Sequence, residues 1–230
     1  MQRYFSLNHI FILLLAIANL CLAACSIHNN PRHETNAVLP PLTKIAVLPI
    51  DRANLKPQRD DLSCALTDTF YEAGDVSLEA ARTVTQLLLK HLGNDPKFIP
   101  VEEKKCINFL NAMLISQPNA TQLKLIQALG KELGADAVLY GKLYRFEERI
   151  GGPYGVERPA SVAFTLYLIR TNDGAVLWRY SFNETQQSLT ENLFKAKLYK
   201  KSGMRWLTAK ELANIGIEEA IADLKKRFPK

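Results

Sequence analysis

The last third of the chain carries the pattern that most narrows its fold. Val162, Phe164, Leu166 and Leu168 occupy every second position, and Val176, Trp178, Tyr180 and Phe182 do the same after the turn tripeptide Asn172-Asp173-Gly174. A period of two places each apolar set on one face of a strand. Asn, Asp and Gly tolerate the positive φ of tight turns, so the two runs read as the arms of a hairpin. Ala137 to Glu147 reads as a long strand leading into them, which makes the region a three-strand meander.

Upstream, Lys44-Ile45-Ala46-Val47-Leu48-Pro49-Ile50 is a short, almost continuous apolar run of the kind a buried strand shows. Ser77 to Leu92 sets Ala80, Val84, Leu87, Leu88 and Leu92 at helical spacing and stops at Gly93-Asn94. Phe98 to Val101 reads as a short strand. Glu102 to Ile115 reads as a helix whose Cys106, Phe109, Leu110, Met113 and Leu114 form one core-facing stripe. The next helix is expected to start with Asn119 as its cap and Gln122 three residues on, and to end at Gly134. Thr208-Ala209-Lys210-Glu211 is a capping box ahead of a closing helix carrying Leu212, Ile215, Ala220, Ile221 and Leu224. The expected fold is α/β (α+β): a mixed central sheet of about five strands with helices packed on it, a C-terminal β-meander and a closing helix.

The first residues have a different character. Arg3 precedes an apolar run from Phe11 to Ala18, too short to span a bilayer comfortably, and Leu22-Ala23-Ala24 leads directly into Cys25. This arrangement resembles the lipobox of bacterial lipoproteins, which implies a signal peptide over residues 1–24, lipidation of Cys25 and an anchor of acyl chains. Ser26, rather than Asp, follows that cysteine, and by resemblance to Gram-negative sorting this implies the periplasmic face of the outer membrane. Ser26 to Thr43 carries Asn29, Asn30, Pro31, Pro40 and Pro41 with no apolar period, the composition of a tether spanning on the order of 25 Å. Residues 25–43 are thus expected to form the lipidated tether and residues 44–230 one globular domain. Losing Arg3 with the leader leaves 28 Lys+Arg against 23 Asp+Glu, a mild excess that suits anionic envelope surfaces and argues for no nucleic-acid partner.

The lipobox, the tether, the Ile-Ala-Val-Leu-Pro first strand, Gly134-Ala135-Asp136-Ala137-Val138-Leu139-Tyr140-Gly141 and Asp173-Gly174-Ala175-Val176-Leu177-Trp178 together resemble one group of envelope lipoproteins. That group includes the penicillin-binding-protein activator lipoprotein, the curli secretion lipoprotein and the amino-terminal domain of the Tol translocation protein. The resemblance spans roughly residues 44 to 187. It implies a non-catalytic domain that binds another envelope protein or assembles with copies of itself. An adaptor or assembly factor for an envelope complex is therefore the leading expectation, and a structural subunit of an oligomeric secretion complex is the alternative. An envelope hydrolase with an unfamiliar site is a third reading.

The residue sets that chemistry requires are sparse. His9, His28 and His33 fall in the leader and tether, leaving His91 with no partner set for a metal or a Ser-His-Asp constellation. Gly134 to Lys142 resembles a phosphate loop only loosely, because its glycines are too widely spaced and Leu143 stands where Ser or Thr would hold magnesium. Glu147 and Glu148 are adjacent on a strand and point to opposite faces, so they cannot act as an acid and base pair. No catalytic residue, metal or cofactor is expected. Cys64 and Cys106 would share an oxidising compartment and form a candidate disulfide, with two buried free thiols as the other reading.

Partner contacts are expected in the irregular segments. These are Asp51 to Asp75, the glycine-rich tip around Tyr154, and Ser188 to Arg205, where Phe194, Leu198 and Tyr199 alternate with Lys195, Lys197, Lys200, Lys201 and Arg205. Aromatics among cations suit an acidic protein patch, anionic lipid or a wall polymer.

Overall fold

A computed structural model describes residues 42–53, 76–187 and 205–228 of the 230-residue chain. The elements run β1 (Ile45–Val47), β2 (Asp51–Arg52), α1 (Leu78–Leu92), β3 (Phe98–Pro100), α2 (Glu103–Ser116), α3 (Gln122–Glu132), β4 (Ala137–Glu147), β5 (Ile150–Gly151), β6 (Val156–Arg158), β7 (Ser161–Arg170), β8 (Val176–Thr185) and α4 (Ala209–Arg227). The main sheet has the order β3-β1-β4-β7-β8, with β2 also paired to β4. β1 lies parallel to β3 and β4, whereas β4, β7 and β8 form the antiparallel meander. The expected α+β architecture is therefore the observed one, and β5 pairs with β6 as a separate small hairpin.

Helices cover both faces, and this explains why β4 and β7 each show nine consecutive buried positions. Along β4, Ala137, Leu139 and Leu143 face a cluster built with α1 and α4, while Val138 and Tyr140 face a second cluster built with α2 and α3. The alternation of Val162, Phe164, Leu166 and Leu168 joins the first cluster, and Tyr167 and Ile169 join the second. α4 seats closely on the sheet because Gly216 has no side chain. A Cβ there would stand 2.7–2.8 Å from the Phe182 ring.

Local chemistry sets most boundaries. The Ala80 N–H donates to Ser77 Oγ at 3.1 Å to start α1, and Gly93, with φ of 70°, ends it. The box at Thr208 and Glu211 is present in full. Two expectations need correction. The run Lys44 to Ile50 is not one strand: Pro49 has no N–H to donate, and the chain leaves the ladder after Val47 before rejoining β4 as β2. The cap of α3 is Thr121, whose Oγ1 accepts from the Lys124 N–H at 3.3 Å, because Asn119 lies within the turn closed by Ala120 N–H to Gln117 O.

Candidate functional site

The stripe on α2 departs most from expectation. Of Cys106, Phe109, Leu110, Met113 and Leu114, only Cys106 is buried; Ile107 and Leu114 are 48% and 41% exposed. This helix packs on the second cluster through Cys106, Phe109 and Leu110, and it forms one wall of a groove of about 450 Å³. Leu48, Pro49, Ile50 and Asp51, just past β1, form one end, while α3 contributes Gln122, Leu125, Ile126 and Leu129. Leu78 at the start of α1 and Tyr140 of β4 complete the lining. The groove thus lies beyond the carboxyl ends of parallel strands, where open α/β sheets offer a crevice because the chain crosses away from the sheet there.

Its walls are apolar, with one polar knot. The Tyr140 hydroxyl donates to Asp51 Oδ2 at 3.1 Å and accepts from the Gln122 side-chain N–H, which also reaches Asp51 Oδ2 at 3.4 Å. Burial first, and then the Asp51 carboxylate, hold the Tyr140 phenol well above its ordinary pKa, so it stays neutral. Burial likewise pushes the Cys106 thiol up, with Asp51 and Glu103 adding to it. A thiol kept protonated in this way is a poor nucleophile. At the rim, Arg82 and Glu103 form an exposed ion pair at 3.1 Å. Among the described residues no group of three His, Cys, Asp or Glu could hold a metal ion, and no helix is long and apolar enough to cross a membrane. The arrangement suits recognition of an apolar side chain or segment, with Asp51 as its polar anchor.

The other expected site residues are dispersed. Cys25, Cys64, Phe194, Lys195, Lys197, Tyr199, Lys200 and Lys201 lie outside the described residues. Cys106 forms no disulfide among the described residues. Tyr154, 86% exposed, stands at the tip of the β5–β6 hairpin. The Trp206 N–H donates to Pro153 O at 2.8 Å, so the structure brings this tip beside the end of the basic segment at Arg205. Arg205 itself is engaged with Glu211, Nη1 to Oε2 at 3.1 Å, and braces the start of α4. His91 contacts Asn214 Oδ1 at 3.0 Å. The Glu148 carboxylate accepts from Ala209 N–H at the α4 N-terminus, where the helix dipole favours a negative charge. Glu148 therefore helps to hold the start of α4.

The Glu211 contact makes a pH prediction. The Arg205 guanidinium, more than the Thr208 N–H and hydroxyl, pulls the Glu211 carboxyl down to about 2 from an ordinary 4.5. A lowered folded-state value means the stabilisation is whole above about 4.5 and is lost as pH falls towards 2. Both partners are over one-third exposed, so solvent screening keeps the pair's share small. Urea melts at pH 6 and pH 3 are expected to show Glu211→Gln less stable than wild type at pH 6 and closer to it at pH 3. A constant difference across that range would refute the linkage.

No protein-family model and no curated protein matches the sequence. Solved structures do resemble it. PelC of Paraburkholderia phytofirmans, solved as a dodecamer, is 15% identical, covers 80% of this chain and 87% of its own, and superposes with a TM-score of 0.44. The LpoB C-terminal domain of Salmonella enterica is 13% identical over 64% of this chain and 85% of its own, with a TM-score of 0.37. Lipoprotein GNA1162 of Neisseria meningitidis is 16% identical over 69% and 95%, with a TM-score of 0.32.

Proposed function

We propose that this chain is an outer-membrane-anchored periplasmic lipoprotein, held by acyl chains on Cys25, that works as a non-catalytic adaptor or assembly factor for an envelope complex. The observation that carries the reading is the groove beside α2. Ile107 and Leu114 present apolar surface at its mouth, and Ile115, 85% exposed, extends that surface outward. Leaving such side chains in water forfeits about 25 cal/mol per Å² of apolar area, which a partner's apolar segment would recover on docking. The neutral thiol and phenol of the lining, and a carboxylate already hydrogen-bonded to both its neighbours, support a binding role over a catalytic one. A tether of the length expected for residues 25–43 lets the domain reach such a partner while it stays anchored.

The test is crosslinking in whole cells from a photoreactive residue at Ile107, compared with one at Val176 on β8. An adduct of defined mass is expected from Ile107, reduced at least tenfold by Leu114→Glu with Leu110→Glu. Equal adducts from both positions, or an adduct indifferent to the two glutamates, would dismiss the groove. A second reading, a subunit of a homo-oligomer, is supported by β8. Over ten residues it pairs only with β7 among the described strands, and an unpaired edge is a template for a further strand. Light scattering on the purified chain separates the two, since an adaptor is expected as a monomer or dimer and a ring subunit as a large closed oligomer.

A further inference from the structure

The opposite end of the sheet from the groove has a charge pattern of its own. β1, β3 and β4 all begin there, and the chain enters the described structure at the same end, through Leu42 to Lys44. Helices α1, α3 and α4 all finish there. The Ile45 N–H donates to Lys97 O at 2.7 Å, Lys225 Nζ donates to His91 O at 3.1 Å, and Lys44 Nζ reaches the Leu133 carbonyl that ends α3. These contacts bring the last turns of three helices round one pole, and each last turn is basic: Lys90 on α1, Lys131 on α3, and Lys225, Lys226 and Arg227 on α4. All five side chains are exposed. Five carboxylates lie among them and keep their charge: Asp173 pairs with Arg170 at 2.7 Å and Asp223 with Arg227 at 3.3 Å, Asp95 and Asp136 accept from backbone N–H groups, and Glu132 is exposed. Lys44, Lys90, Lys97, Lys131, Arg170, Lys225, Lys226 and Arg227 outnumber them, so the pole keeps a net positive charge. Between Lys97 and Lys225 a hollow of about 430 Å³ has Leu92, Phe98, Leu224 and Phe228 in its lining.

Basic residues at helix ends complement the helix dipoles, and α1 and α3 must finish at this pole because they lead into β3 and β4. Neither fact accounts for three successive cations at the end of α4 or for an apolar hollow lined by Lys97 and Lys225. We infer that this pole docks on an anionic phospholipid surface. Cations meet the headgroup phosphates, the hollow accepts apolar atoms below them, and the groove beside α2 faces away from the membrane. The inference rests on the proposed anchor at Cys25, because the chain between that residue and Leu42 ties this pole, rather than the other, to the bilayer.

The experiment uses the chain from residue 25 onward with Cys25→Ser, so that no acyl chain contributes to binding. Co-sedimentation is measured with phosphatidylcholine vesicles and with vesicles containing phosphatidylglycerol, at low and high salt. Binding is expected only to the phosphatidylglycerol vesicles and is expected to weaken with salt. Each lysine near such a surface contributes about fivefold, so Lys90→Gln, Lys131→Gln and Lys226→Gln together should cost on the order of a hundredfold. The same three positions changed to Arg should bind as wild type. Lys104→Gln, Lys105→Gln and Lys210→Gln, at the first turns of α2 and α4 at the other end, should also bind as wild type. Equal losses in the two Gln triples, loss in the Arg triple, or no preference for phosphatidylglycerol would overturn the inference. Fractionation of the unaltered lipoprotein tests the anchor separately: membrane-bound lipoprotein with no vesicle preference in the Cys25→Ser chain rejects this pole alone, and a soluble wild type rejects the anchor.

Discussion

Cys25→Ala is expected to leave a precursor that keeps its 24-residue leader and carries no acyl chain. In the proposed lipoprotein the sulfur is both the attachment point and the group that processing requires, so its loss would remove cleavage and anchoring in one step. The effect is large because the anchor is additive in methylenes. Each buried CH₂ contributes roughly 0.8 kcal/mol, so one acyl chain binds reversibly whereas two or three hold firmly. A basic pole with no acyl chain binds weakly and releases in salt, so it cannot replace them. Mass spectrometry of the product and labelling with a fatty-acid analogue give the readout. A mutant of normal mature mass in the outer-membrane fraction would sink the lipoprotein reading, and with it the orientation inferred from the basic pole.

What the sequence made legible follows from how local each signal is. The bounds of α1 were readable because Ser77 and Gly93 act within one turn of the helix they cap. The same holds for Thr208 and Glu211 at α4. β4 matched from Ala137 to Glu147, since its apolar run is bounded by a turn glycine before and by charges after. The α3 cap was missed by two residues because Asn119 and Thr121 are both good caps. Only the turn preceding the helix decides between them. The groove was missed for a deeper reason. Periodicity tells which residues of α2 share a face, but whether Leu110 and Leu114 are covered depends on residues 48–52 and 122–140, far away in sequence. The width of the apolar surface was the available clue, since Ile107 and Ile115 lie outside the stripe of Cys106, Phe109, Leu110, Met113 and Leu114. The basic pole is scattered likewise, its cations lying between positions 90 and 227 and meeting only where three helices end.

Phe164→Ala is expected to be the most damaging single substitution in the sheet. Phe164 is fully buried at the middle of β7, directly opposite Leu143 on β4 and Phe182 on β8. Its ring stacks on Phe182 with centroids 5.2 Å apart, and Phe182 is in turn held against Gly216 of α4. The void left by alanine therefore lies under two strands and a helix that are already seated on one another, and a site so enclosed collapses poorly. Phe-to-Ala changes in such positions cost about 3–5 kcal/mol, against a total of roughly 5–15 kcal/mol for a domain. For a chain of this size that corresponds to a fall in Tm of about 6–20 °C. Urea unfolding of the variant should show a lower midpoint at unchanged slope, which marks lost stability with no change in the surface exposed on unfolding. Val176→Ala, at the exposed start of β8, should stay within about 0.5 kcal/mol of wild type. If the two substitutions shift the midpoint equally, the meander is not the centre of the core, and the packing of α4 through Gly216 onto Phe182 is wrong with it.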